Sequence, residues 1–251
     1  LKLISDIKKP IVELVVPDTA KSGAEFSYIK IKKGPLLIVN AGAPYTTGEN
    51  LASKIYLPFL LRKGARLIDA VFITSPELTR YGALEEIIKE IPAGIVYTNP
   101  EISMWHEYIS LMEKLESMKI SVKTLWAPSE ITLNKNVSIK VVNPSWLDSG
   151  NPARNALAFI LTIKPDKKYD RPIHLYFSDS ATHYAIIESD KIPAGAPRKK
   201  VNALSDNRNN SSYPVKRKNV LIPADDKTTG AITVKIYSDG KIVSERFANS
   251  R

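Results

Sequence analysis

The sequence predicts an α/β (α+β) protein, a single αββα sandwich over residues 1–251 with two mixed β-sheets and helices outside. Three observations lead there. Residues 66–119 alternate between strand-like and helix-like patterns, the signature of an α/β layer. The second half is richer in short apolar strands. Both halves are written in one style, sheet first and helices after, which suits one sandwich better than two unrelated domains. A chain of 251 residues can bury the core such a fold needs.

The elements follow in order. IVELVV (11–16), FSYIKIK (26–32) and PLLIVN (35–40) read as strands, the last two parted by Gly34-Pro35. In the middle one Ile29 and Ile31 share a face, while Phe26 and Tyr28 lie with Lys30 and Lys32, a pattern for a half-exposed antiparallel sheet. Residues 50–63 read as a helix capped by Gly64, with a kink or early break at Pro58. RLIDAVFIT (66–74) is nearly all apolar, as a strand buried on both faces would be. A helix follows Thr79 and ends near Pro92; GIVYT (94–98) is a short strand. In the helix at 102–119, Trp105, Tyr108, Ile109, Met112 and Leu115 share one face, with His106, Ser110, Glu113 and Ser117 as a polar stripe. Strands are expected at 120–126, 137–144, 156–163 and 173–178, and weak helix signals at 182–189. The end, 231–247, is a hairpin turning at Asp239-Gly240.

Composition removes whole classes of function. Without cysteine there is no disulfide, thiol nucleophile or thiolate metal site. No apolar run is long enough to span a bilayer, and no basic-then-apolar leader opens the sequence. The start at Leu1 reads as a processed product or an excised fragment. A net charge of +10 favours anionic partners. The basic residues are densest at Arg198, Lys199, Lys200, Arg208, Lys216, Arg217 and Lys218, which reads as a solvated loop or, with Tyr213, as a contact for a phosphate backbone. No phosphate loop or nucleophile elbow occurs.

One turn, VFITSPELTRYGAL (71–84), stands where α/β enzymes keep their chemistry, between a buried strand and a helix. It holds one carboxylate, Glu77, an arginine, Arg80, and no histidine. TSPE also suits a helix cap. The three histidines are scattered. His106 falls on a polar helix face, His174 in a strand opposite Ile173, Leu175 and Phe177, and His183 four residues after Asp179, where a helix would put both on one side.

The order of these motifs resembles the metallo-β-lactamase fold, and within it the soluble domain of the DNA-uptake channel ComEC and its free-standing relatives. LIVNAG (37–42) and IYLPFLLRKGARLIDAVFITSPELTRYGAL (55–84) stand where the family has its first turn, its "lPyLrrrG" helix and its "iDalvlTHpdaDHigGl" segment. VVNP (141–144), NALAFIL (155–161), LYFSDSAT (175–182), SDNRNNSSYP (205–214) and TTGAITVKIYSDGKIV (228–243) match later segments in the same order. Active members hold zinc or manganese with His and Asp side chains, which makes a nucleophile of bound water. On the matching positions this chain carries Ser75, Glu77, Thr79 and Arg80 in place of those ligands. Asn143 replaces the later His, Asn40 the turn Asp, and no "HHGS" motif lies between Asp179 and Ser205. Asp179 alone keeps a ligand.

The resemblance therefore implies a vestigial metal site, with no metal and no cofactor expected, in a pseudoenzyme that serves as a binding or structural module. Its partner would be another protein or a second copy, in an exported or extracytoplasmic assembly. Arg80 and Asp179 are expected to pair in the vacated pocket. Two alternatives stay open. One is a phosphodiesterase or nuclease using Glu77, Asp179 and His183 around Mg²⁺ or Mn²⁺, with Arg80 on phosphate. The other is an electrostatic DNA-binding module with weak, salt-sensitive affinity.

Overall fold

A computed structural model describes residues 9–19, 23–44, 50–100, 105–145, 156–165, 172–177, 183–188, 220–223 and 231–247. The larger sheet contains β1 (Val12–Val16), β2 (Phe26–Ile31), β3 (Leu36–Ala41), β4 (Ile68–Ile73), β5 (Ala93–Thr98), β6 (Ser121–Thr124), β13 (Ala231–Ile236) and β14 (Ile242–Phe247). Its order is β14-β13-β1-β2-β3-β4-β5-β6. The strands from β3 to β6 are parallel and the others antiparallel. The smaller sheet contains β7 (Glu130–Asn134), β8 (Val137–Asn143), β9 (Ala158–Ile163), β10 (Ile173–Phe177), β11 (His183–Glu188) and β12 (Val220–Pro223), in the order β12-β11-β10-β9-β8-β7.

The mixed α+β, two-sheet architecture expected from the sequence is the one observed. Among the described pairings only the larger sheet is mixed, because every strand pair of the smaller one is antiparallel. Two apolar layers hold the fold. Between the sheets, Leu14, Ile29, Val39 and Phe72 meet Ile139, Phe159, Leu161 and Leu175. Phe159 bridges Phe72 and Phe177 with both ring separations at 4.9 Å. Side chains of this size contribute about 2–3 kcal/mol each when fully buried.

On its other face the larger sheet carries the described helices, α1 (Leu57–Arg62), α2 (Leu78–Tyr81), α3 (Leu84–Glu90) and α4 (His106–Ser117). Leu60, Leu84, Ile87, Leu111 and Leu115 pack there on Phe26, Tyr28, Ile38, Val71 and Val96. Strand β2 is thus buried on both faces, not half-exposed: its Phe26–Tyr28 face lies under helices and its Ile29–Ile31 face on the second sheet. Pro58 does not break its helix. It sits in the first turn of α1, where its missing N–H costs nothing, and a π-helical turn (Ala52–Tyr56) leads into it. Gly64 ends α1 at φ 73, with Ala65 N donating to Leu60 O and Gly64 N to Leu61 O, the paired bonds of a glycine-capped helix end.

Two further expectations change. The core face of α4 is Tyr108, Leu111 and Leu115, while Trp105 (68% exposed) and Ile109 (42%) point to solvent. Trp105 is the extended N-cap, so it lies outside the helical stripe. Residues 183–188 form a strand, not a helix; Tyr184, Ile186 and Ile187 are good strand formers and find β10 on one side and β12 on the other. Strands β7 and β12 are additions to the sequence reading. The terminal hairpin is as expected, with Gly240 at φ 79 and Asp239 Oδ1 accepting from Lys241 N. No helix among the described residues is long and apolar enough to cross a membrane.

Candidate functional site

The parallel strands β3, β4 and β5 end side by side, and in open α/β sheets that edge is where ligands sit. Here the edge is lined by buried polar residues: Asn40 near the end of β3, Thr74 and Ser75 after β4, and Thr98 and Asn99 at the end of β5. Burying so many polar groups is tolerable only when they are bonded. Asn40 is the hub. It adopts the left-handed conformation at φ 60, which asparagine tolerates better than most residues. Its Oδ1 accepts from Thr74 N at 3.0 Å and from Thr74 Oγ1 at 3.1 Å, while its Nδ2 donates to Glu25 Oε2 at 2.8 Å.

Glu25 enters at the start of β2 and meets Arg80 of α2. The Arg80 Nη2 to Glu25 Oε1 distance is 3.3 Å, with side-chain exposures of 11% and 6%. Arg80 Nη1 donates to Thr79 Oγ1 at 2.9 Å. The backbones are locked as well. Glu25 N donates to Thr79 O, Ala43 N to Leu78 O, and Gly42 N to Glu25 O. This close approach requires glycine at position 42, where a Cβ would lie 1.8 Å from Thr79 O. Tyr56 Oη donates to Gly42 O at 3.2 Å. Burial, and then the charge of Glu25, push the Tyr56 hydroxyl well above the ordinary tyrosine range.

The six positions expected to be vestigial metal ligands are distributed as follows. Thr79 and Arg80 are buried and bonded to each other, and Ser75 is buried beside Thr74. Glu77 is exposed and serves through its backbone: it is the N-cap of α2, its carbonyl accepts from Arg80 N, and its own side chain makes no cap bond. Asn143 closes β8 and donates from Nδ2 to Ala156 O, next to the point where Leu157 N donates to Thr74 O and ties the sheets together. Asp179 lies outside the described residues, as do Arg198, Lys199, Lys200, Arg208, Lys216, Arg217 and Lys218. The expected Arg80–Asp179 pair is therefore not among the described contacts, and the carboxylate found against Arg80 is Glu25.

Sequence reasoning missed Glu25. A signal was present: it is the only charge in GAEFSYI (23–29), immediately before a strand with two apolar faces. A carboxylate carried into such a strand needs a cation. The histidines stay apart. His106 is exposed at the start of α4, and His174 is buried with Nδ1 3.0 Å from Thr162 Oγ1. His183 opens β11.

Arg80 is a permanent cation, and Ser75, Thr79, Asn40 and Asn143 are neutral. That donor set does not fit a zinc or manganese dication, which draws on imidazole and carboxylate. Among the described residues no three His, Asp or Glu side chains gather as a metal-holding group. Arginine, its counter-ion and neutral hydrogen-bonding groups can fix strand ends and recognise polar groups.

No family model and no curated protein matches the chain. Solved structures do. A diphosphatase of the PhnP family is 11% identical with a TM-score of 0.38, over 62% of this chain and 68% of that one. A Cronobacter sakazakii metallo-β-lactamase with a HARLDQ motif is 14% identical with a TM-score of 0.39, over 72% of this chain and 63% of that one. A variant of the β-hydroxylase CmlA is 14% identical with a TM-score of 0.37, over 65% of this chain and 29% of that one. These neighbours are metallo-β-lactamase-fold proteins. At such scores the likeness assigns no activity to this chain.

Proposed function

We propose that the chain is a single-domain, non-catalytic protein of the metallo-β-lactamase type, a pseudoenzyme of the ComEC-like branch. It serves as a binding or structural module, as a subunit of a larger exported assembly or in a homo-oligomer. The observation that carries this reading is the buried Arg80–Glu25 pair, joined to Asn40 at the strand ends. In this reading the guanidinium supplies the positive charge that a metal would supply, and Glu25 and Asn40 complete its shell. A cation fixed by the sequence has no coordination site to offer water, so the function left to the fold is recognition.

The test is elemental mass spectrometry of protein expressed with zinc and manganese and purified without chelator, alongside a phosphodiester hydrolysis assay. Less than about a tenth of an ion per chain with no hydrolysis is the expected result. One or two ions per chain, with turnover lost on chelation, would overturn the reading and restore the hydrolase alternative.

A further inference from the structure

The registers place one set of turns at the end of the sandwich opposite Asn40 and Arg80. The β2–β3 turn lies level with the starts of β4, β5 and β6. The β7–β8 turn joins them, since Gly34 packs beside Asn134, and Lys164 N donates to Asn136 O. This end is basic. Lys33, Arg62, Arg66, Lys119, Lys135 and Lys164 are all exposed on it. Among the described residues acidic ones are fewer there: Asp69 accepts from Leu36 N, Glu90 is the last residue of α3, Glu116 lies in the last turn of α4, and Asp239 accepts from Lys241 N. Lys63 is neutralised by Glu13 at 2.9 Å. At the other end the balance of the described residues reverses, with Asp18, Glu77, Glu85, Glu86 and Glu107 against Lys54, Lys123 and the paired Arg80.

Two leucines stand on the basic end. Leu61 is 61% exposed and Leu67 50%, and they flank the turn that carries Arg62 and Arg66. Leucines beside arginines, with no carboxylate between Leu57 and Ile68, are the composition of an interfacial contact, apolar groups for acyl chains and cations for headgroups. A nucleic-acid face would present aromatic rings for stacking. Among the described residues the fully exposed ring, Trp105, is at the opposite end, at the start of α4, and the basic end offers only the half-buried Tyr237.

We propose that this end is a docking surface for an anionic lipid bilayer, seated by Leu61 and Leu67 and held by the surrounding lysines and arginines. Docked this way, the chain turns the Asn40–Arg80 end away from the membrane.

The test is sedimentation of the full chain with vesicles of phosphatidylcholine alone or with about 30 mol % phosphatidylglycerol. Leu61→Ser/Leu67→Ser and Arg62→Glu/Arg66→Glu are compared with Lys54→Glu from the opposite end. The expected result is binding to the anionic vesicles only, weakened at least about tenfold by either double variant and unchanged by Lys54→Glu. Melting temperatures within about 2 °C of the parent would show the fold intact. Absence of binding to anionic vesicles, or equal binding to neutral ones, overturns the proposal. So does an unaffected leucine variant, and if that variant also binds a DNA oligonucleotide the face is electrostatic and reads nucleic acid.

Discussion

Removing one partner of the Arg80–Glu25 pair should cost more than removing both. At 3.3 Å and an effective dielectric constant of about 20, the two charges attract by about 5 kcal/mol. Desolvation of two nearly buried ions cancels much of that gain, so the pair adds little net stability. Glu25→Gln removes the attraction and leaves the guanidinium buried, as does Arg80→Met for the carboxylate. Each single variant should lose about 3–5 kcal/mol, roughly 10 °C in Tm for a chain of this length. The double variant should lose less than either single variant, falling short of the summed losses by at least about 3 kcal/mol, because neither charge is then left alone. Urea unfolding of the four proteins, followed by circular dichroism, measures the cycle. Single variants within about 1 kcal/mol of the parent would falsify the pair's structural role. Strictly additive losses would show that Arg80 and Glu25 do not sense each other.

Other consequences are separable. Gly42→Ala drives a Cβ into Thr79 O, so it should destabilise by about 3 kcal/mol or fail to fold, while Gly23→Ala, with nothing within 4 Å, should cost only its positive-φ strain of about 1 kcal/mol; thermal melts compare the two. Alkali should unfold the protein through its tyrosines. Burial, then the Glu13 charge, push Tyr28 up to about 12, and Tyr56 moves further in the same direction. Because the unfolded phenols ionise near 10, the stabilisation is complete below that pH and lost as pH rises toward the folded value. The part of the tyrosinate absorbance that Tyr28→Phe and Tyr56→Phe remove should appear together with loss of ellipticity, and ionisation of those two phenols well before unfolding would contradict the assignment. Tyr56→Phe should cost about 1 kcal/mol for the bond to Gly42 O, read in the same melts.

The sequence made the strands legible wherever one local pattern decided them. Within RLIDAVFIT, Ile68–Ile73 became a central parallel strand because β3 and β5 flank it; Asp69 is that strand's exposed exception, and Arg66 and Leu67 lie exposed before it. The Asp239-Gly240 hairpin is likewise written in a dipeptide. Residues 183–188 were misread because HYAIIE is compatible with either state over so short a run, and only pairing with β10 and β12 decides it. β2 was misread because periodicity reports which residues share a face, not what covers that face. At the site, Arg80 was visible as an oddity in its turn. Its partner was not, since Glu25 lies 55 positions earlier, in no motif, and reaches it only through the β2–β3 pairing and the approach of α2 at Gly42.

Arginine rather than lysine at position 80 follows from the geometry. Two separate nitrogens of one plane are in use: Nη1 donates to Thr79 Oγ1, while Nη2 lies 3.3 Å from Glu25 Oε1 as a charge contact. An ammonium is a single point and cannot keep both contacts in the same directions. Arg80→Lys should therefore lie between the parent and Arg80→Met in stability, with charge retained and geometry lost. It should also melt with little dependence on added salt, since a pair this buried is poorly screened. A metal centre at the same place would behave differently. It would tie the strand ends to metal supply and release them to chelators. A fold whose strand ends are held by an ion pair does not depend on metal supply for their order. If Arg80→Lys is as stable as the parent, the second contact contributes nothing and the pair is only a neutralised charge.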